Sequence, residues 1–260
     1  MVSIYDVRAL LLAMWIGAGC GEDPGGGGGG EPVDPLTAVF ILAADRQGDA
    51  TANGQVTTPG SIGVLEAEPG CVIPAPPIDE PIAFSSFLGS DHPDLVNIGD
   101  IGFRGMAGLA IARYTTPPFY TLLTEDIPFP AAGTEVTIYA DEQYTGFEAT
   151  LTIGEAPTVT APVDGSAFLR TADLPMTISA PGATGIVIDM HFSNDARALC
   201  FFAEDGDIVF PREAIAEDTF AVTGSTQVLV GSWVIGHGGT GGMDVNLVTI
   251  SNTGLTLMLE

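Results

Sequence analysis

Basic residues are nearly missing from this chain. Its 260 residues include 7 Lys and Arg against 33 Asp and Glu, a formal net charge of −26. Removing residues 1–19 takes away Asp6 and Arg8, one of each sign, so the remainder is equally acidic. Such a surface repels phosphate backbones, which excludes nucleic acid as an expected partner. It also repels anionic head groups, so any membrane contact must have another source. Surface acidity favours solubility and attracts cations.

Other absences narrow the chemistry. There are three cysteines, Cys20, Cys71 and Cys200, and no C-x-x-C pair. There is no G-x-S-x-G, no H-E-x-x-H and no H-x-x-x-H. Ser90-Asp91-His92 has the letters of a hydrolase triad, but a triad is assembled in space, and three consecutive residues read as a turn. The glycine-rich stretch Gly236–Gly242 lacks the Lys of a phosphate loop. It lies between two apolar strands and reads as a flexible hairpin connection. The only helical candidate in the folded part is Pro211–Glu217, at most two turns long.

The N-terminus carries an address. Ala9–Gly19 (ALLLAMWIGAG) is an apolar run of 11 residues. That is short of the roughly 20 a membrane helix needs, and it fits the apolar core of a signal peptide. Gly17-Ala18-Gly19 then precede Cys20. This resembles a bacterial lipobox, in which the cysteine becomes the lipidated first residue of the mature chain. Ala18 and Gly19 fit that pattern, whereas Gly17 stands where Leu, Val or Ile is usual. Gly21–Glu31 (GEDPGGGGGGE) follows, a flexible coil spanning about 20 Å. A globular domain gains nothing from such a run, but an anchored one gains reach. Gly21 after the cysteine makes the outer membrane the default address.

From Leu36 onward the dominant period is two. Val136, Ile138 and Ala140 alternate with polar residues, as do Phe147, Ala149, Leu151 and Ile153. Leu174, Met176 and Ile178 repeat the pattern, and so do Leu255, Leu257 and Leu259. Ile186, Ile188, Met190 and Phe192 are expected to face a core, with Val187, Asp189, His191 and Ser193 facing water. This is the pattern of half-buried antiparallel strands. Pro181-Gly182, Asp205-Gly206 and Asn252-Thr253-Gly254 read as turns between them. The expected fold class is all-β: two tandem antiparallel β-sandwich modules after a signal peptide and a tether. A proline-bearing linker near 156–165 divides the chain. The expected segments are 1–19 signal peptide, 20–34 lipidated cysteine and linker, 35–157 first module and 158–260 second module.

The second half resembles bacterial immunoglobulin-like or fibronectin-like modules, through Pro162-x-Asp164-Gly165, the Leu174–Ile178 strand, Pro181-Gly182-Ala183 and the Ile186–Phe192 strand. The chain after the leader also resembles a family of uncharacterised two-part envelope lipoproteins of myxobacteria. The shared features are Phe147–Ile153, the linker Pro157–Pro162, the Cys200 strand, Glu204–Asp207 and Pro211–Glu217. The Trp common in the first strand of such second modules is absent, with Ala180 roughly in its place. The resemblance implies an envelope lipoprotein and no known activity.

Candidate sites follow from residue types. An exported destination would be oxidising, so Cys71 and Cys200 are either a disulfide between the halves or two separate buried thiols. Asp189 and His191 share one strand face, and Asp195 follows in the next turn, a candidate metal-ligand set. Glu204, Asp205 and Asp207 around Gly206 are candidate calcium ligands, although Asp205-Gly206 also reads as a hairpin turn. Asp91, Asp94 and Asp100 form a second acidic group. Trp233 is expected in a core, and one ring of Phe201-Phe202 in the contact between halves. The leading function is a non-catalytic, lipid-anchored scaffold for binding, adhesion or assembly, with protein or glycan ligands and no resident cofactor. The runner-up is a cation-dependent carbohydrate-binding module using Tyr114, Phe119, Tyr120, Tyr139 and Tyr144 as stacking rings. A hydrolase without a recognisable motif comes third.

Overall fold

The computed structural model describes residues 36–44, 48–57, 70–72, 96–115, 119–122, 126–140, 144, 146–194, 196–215 and 223–260. Residues 1–35 lie outside them, and with them the expected signal peptide, Cys20 and the glycine run. The described residues are almost wholly β. Of the expected helical segment Pro211–Glu217, the described residues form one 3₁₀ turn, Arg212–Ile215, and Ala216 and Glu217 lie outside them.

The second half is the simpler part. Strands β9 (Thr158–Ala161), β11 (Leu174–Ser179) and β14 (Gly206–Phe210) form a three-stranded sheet in the order β14-β11-β9. Facing it are β12 (Gly185–His191), β13 (Arg197–Phe202), β15 (Gly224–Gly238) and β16 (Asp244–Leu259), in the order β13-β12-β15-β16. Leu174, Met176, Ile178, Ile208 and Phe210 meet Ile186, Ile188, Met190, Ala198, Val228, Val230 and Leu257 in one core. Full burial of each large side chain there contributes about 1.5–3 kcal/mol. Three strands on four in this order is an immunoglobulin- or fibronectin-like sandwich.

The alternation in β11 is as the sequence implies, buried and exposed in turn. Asp205-Gly206 is a different matter. It joins β13 to β14, which lie in opposite sheets, so it is a corner and not a hairpin turn. Gly206 turns that corner at φ 111°, in the region glycine adopts without a Cβ penalty.

The first half is built from one sheet folded over on itself. Here β1 (Thr37–Ala44), β2 (Ala50–Thr57), β4 (Ile101–Arg104), β5 (Ala110–Thr115), β6 (Phe119–Leu122), β7 (Glu135–Ala140) and β8 (Glu148–Thr152) follow in the order β1-β2-β6-β5-β4-β7-β8. Phe40, Tyr120, Ile101, Phe103, Ile138 and Phe147 fill the interior, with Phe103 and Phe147 edge-on to Phe40. The core includes Met243, Val245 and Leu247, from the far end of the chain. The sheet curls until β8 lies over the C-terminal half of β15. Gly239 N–H donates to the Glu148 carbonyl and Thr240 N–H to the Gly146 carbonyl. A Cβ on Gly238 would meet the Glu148 carbonyl oxygen at 2.1 Å, so only glycine allows this approach.

The β15–β16 hairpin therefore serves both cores. Its fifteen cross-strand pairs run from Gly224–Leu259 to Gly238–Val245, and a two-residue strand, β10 (Ala167–Phe168), pairs in parallel with the end of β16. One end packs in the second-half core and the other in the first. Asn252-Thr253-Gly254 falls inside β16 and makes no turn. The reason lies in its neighbours. Asn252 Nδ2 donates to the Ala44 carbonyl, and Thr253 Oγ1 to the Pro157 carbonyl. Ser232 and Ser251 likewise donate to the carbonyls of Glu155 and Gly154. Asn252 thus holds the end of β1, while Ser232, Ser251 and Thr253 satisfy the backbone of the crossing linker, which has no ladder of its own there.

β1 joins this sheet in the middle. It pairs in parallel with β16 from Thr37–Asp244 to Ala43–Ile250, and antiparallel with β2. Its apolar run TAVFILAA is buried on both faces, as expected of a central strand. Ala38, Phe40 and Leu42 point into the first core. Val39, Ile41 and Ala43 join Val187, Leu199, Phe201, Trp233, Val248 and Ile250 on the opposite face. Trp233 is core, edge-on to Phe201 at 6.0 Å. The face expected in water at Val187 and Asp189 is buried, because this third apolar cluster occupies it.

Candidate functional site

Two features bring together the residues that the sequence singles out. The first is covalent. A short strand, β3 (Gly70–Val72), pairs with the outer edge of β13, placing Cys71 directly across from Cys200. Their sulfurs are bonded at 2.06 Å. Cys200 is fully buried while Cys71 is exposed. The bridge closes a loop of 129 residues and ties a strand of the first half to the sheet of the second. In the chain-entropy model a loop of that length stabilises by about 5 kcal/mol.

The second feature is an ionic cluster on the face of β12 and β13 that turns away from the second-half core. Period two puts Asp189 and His191 side by side, and His191 Nε2 lies 3.1 Å from Asp189 Oδ2. The β12–β13 register sets Arg197 across from His191. Arg197 Nε donates to Asp189 Oδ1 at 2.8 Å, and its Nη2 donates to Oδ2. This is a forked, two-bond pairing of guanidinium with carboxylate, the strong form of such a contact. Asp189 is fully buried and Arg197 nearly so. An unpaired carboxylate could not remain ionised there at tolerable cost. The arginine occupies both carboxylate oxygens, so a cation ligated by Asp189 would have to displace a buried guanidinium.

Arg197 is the functional neighbour that residue-type reasoning missed. A signal for it existed: an arginine inside the apolar strand RALCFF, on the same parity as Leu199 and Phe201. Reading it required the β12–β13 register, which a single sequence does not give.

The remaining candidates are dispersed. Asp195 lies outside the described residues. Glu204, Asp205 and Asp207 sit beyond Phe202, which pairs with Ile186 at the opposite end of the β12–β13 ladder from His191. All three are exposed. Asp205 Oδ2 accepts the Ala180 N–H at 2.7 Å, and Asp207 Oδ1 accepts the Thr177 hydroxyl at 2.9 Å. These bonds fix the corner between the sheets. Among the described residues no three His, Cys, Asp or Glu side chains come together as a metal would require. Asp91, His92 and Asp94 lie outside the described residues, and Asp100 pairs with Arg113 at 3.1 Å. His237 Nδ1 is 2.6 Å from Asn246 Oδ1 at the end of the long hairpin.

The tyrosines offered as stacking rings are engaged within the protein. Tyr120 is fully buried, a departure from its expected exposure, and its hydroxyl accepts the Ile98 N–H at 2.7 Å. Burial pushes its pKa up to about 12. Tyr114 packs edge-on against Tyr120 at 5.5 Å, and Tyr144 is partly buried on the same core. Tyr139 lies under the Arg104 guanidinium, 4.1 Å from its ring centre. The side chain of Phe119 lies outside the described residues.

No family model matches the chain, and no curated protein matches it. Among solved structures it is similar to a chimeric titin Z1Z2-Z1Z2 tandem functionalized with a GRGDS exogenous peptide from fibronectin. That likeness has 12% identity, covers 87% of this chain and 96% of the other, and has a TM-score of 0.18. A second likeness is to the titin domains z1z2 in complex with telethonin, at 9% identity, 87% and 94% coverage, and a TM-score of 0.17. At those scores neither carries an argument. The fold assignment rests on the strand order and the cores.

Proposed function

We propose that this chain is an exported, lipid-anchored envelope protein that presents a disulfide-braced β scaffold for binding, adhesion or assembly, and performs no chemistry of its own. The observation that carries the reading is the Cys71–Cys200 bridge. Structural disulfides persist in oxidising compartments outside the cytosol. With those two paired, Cys20 is the one cysteine left over, and it follows Gly17-Ala18-Gly19 at the end of an apolar leader. A leftover cysteine at that position is what a lipid-attachment residue would be. The non-catalytic part is supported by the Asp189–Arg197–His191 cluster, whose carboxylate is satisfied internally and fully buried.

Radiolabelled palmitate should enter the wild-type chain in a bacterial host and should not enter Cys20→Ala. Equal labelling of the two removes the anchor from the proposal. The outer membrane is its expected address, to be read by fractionation of the labelled protein.

A further inference from the structure

The arrangement of the three cysteines carries a requirement for order. The native bridge joins the second and third cysteines, 129 residues apart. The first and second, Cys20 and Cys71, are only 51 apart. Closure of a flexible loop falls as roughly the three-halves power of its length, so an unfolded chain forms the wrong pair about fourfold more often than the native one. An exported chain also emerges from its N-terminus, so Cys20 and Cys71 meet before Cys200 is present. Nothing local favours the native pair, because Cys200 meets Cys71 only once β3 has docked on β13. β13 forms a local hairpin with β12, but the β3–β13 pairing that brings the two cysteines together is non-local.

We infer that S-acylglycerylation of Cys20 precedes oxidation of the chain and acts as the protecting step for the Cys71–Cys200 bridge. This rests on the lipid-anchor reading above. In the first reaction the Cys20 thiol gives up its proton. Its sulfur bonds to the terminal glyceryl carbon of a glycerophospholipid, and that carbon's bond to the phosphate oxygen breaks. The phosphate head group leaves with the proton. The product is a thioether, which cannot attack a disulfide or be oxidised to one. In the second reaction Cys71 and Cys200 pass two electrons and two protons to a disulfide oxidant of the envelope, which becomes a dithiol. With Cys20 already alkylated, one intramolecular pairing remains.

The test uses three full-length chains expressed in a host that exports and oxidises them. One keeps its natural leader. In the second, residues 1–19 are replaced by a cleavable secretory leader that does not direct lipidation, leaving the Cys20 thiol free. The third is the second with Cys20→Ser. Thiols are trapped by acid and alkylation shortly after synthesis, and disulfides are mapped without reduction. The first and third chains should carry Cys71–Cys200. The second should show Cys20–Cys71 in several-fold excess over Cys71–Cys200 among its earliest disulfides. Equal native pairing in the second and third chains overturns the inference, even when palmitate labels the first. Absence of label in the first chain overturns the anchor reading itself, and the protecting step with it.

Discussion

The two cores are made in different ways. The second-half core is drawn wholly from residues 159–259, and its two sheets face each other as a self-sufficient sandwich. The first-half core is drawn from residues 36–153 and then completed by Met243, Val245 and Leu247. Its sheet also needs β16 as the neighbour of β1, and β15 as the surface under β8. One region closes with its own sequence, while the other borrows the end of a hairpin. Two sequence segments of similar size are therefore not two equivalent folding units.

Separating the halves should produce the largest effect. A fragment of residues 34–157 should show no cooperative thermal transition, because its core is open on one side and β1 has lost a ladder. A fragment of residues 158–260 should keep a cooperative transition at a lower midpoint, with Trp233 fluorescence shifted to the red. Equal behaviour of the two fragments would erase the distinction. Reduction of Cys71–Cys200 should come next, costing about 5 kcal/mol in a denaturant titration if chain entropy governs it. A loss under about 1 kcal/mol would mean that β3 contributes little to joining the halves.

Arg197→Met should destabilise by about 3–5 kcal/mol, since it strands the buried Asp189 charge. Asp189→Leu combined with Arg197→Met should recover most of that loss, which would confirm that the pair acts as a unit and not as a ligand site. The smallest effect concerns the first core. Tyr120→Phe should cost about 1–3 kcal/mol by leaving the buried Ile98 N–H without its acceptor. The Tyr120 pKa is raised from 10.0 to about 12 in the fold. Its contribution is therefore complete below pH 10 and lost as pH rises from 10 through 12. Urea midpoints taken across that range should fall more steeply for the wild type than for Tyr120→Phe.

Legibility in the sequence tracked exposure. Leu174, Met176 and Ile178 were readable because β11 has one face in the core and one in water. β12 misled at Val187 and Asp189 because both of its faces are buried, so alternation no longer separates core from solvent. Asn252-Thr253-Gly254 misled for a related reason. Turn-forming side chains can equally bond a crossing linker, and only the linker's path distinguishes the two uses. In the candidate site, the closeness of Asp189 and His191 followed from period two. Their shared partner Arg197 did not, nor did the choice between bridge and free thiols, because both depend on which strands become neighbours. The β1–β16 pairing joins residues some 200 positions apart and leaves no local trace in the chain.

That pairing has a mechanical meaning. β1 runs parallel to β16 over seven register pairs and antiparallel to β2 over eight. A force applied to Thr37 along the axis of β1 runs across the direction of its hydrogen bonds. Both ladders are then loaded in shear and resist together, where a peeling geometry would break one pair at a time. β1 is thus the strand whose displacement along its own axis is opposed by two ladders at once.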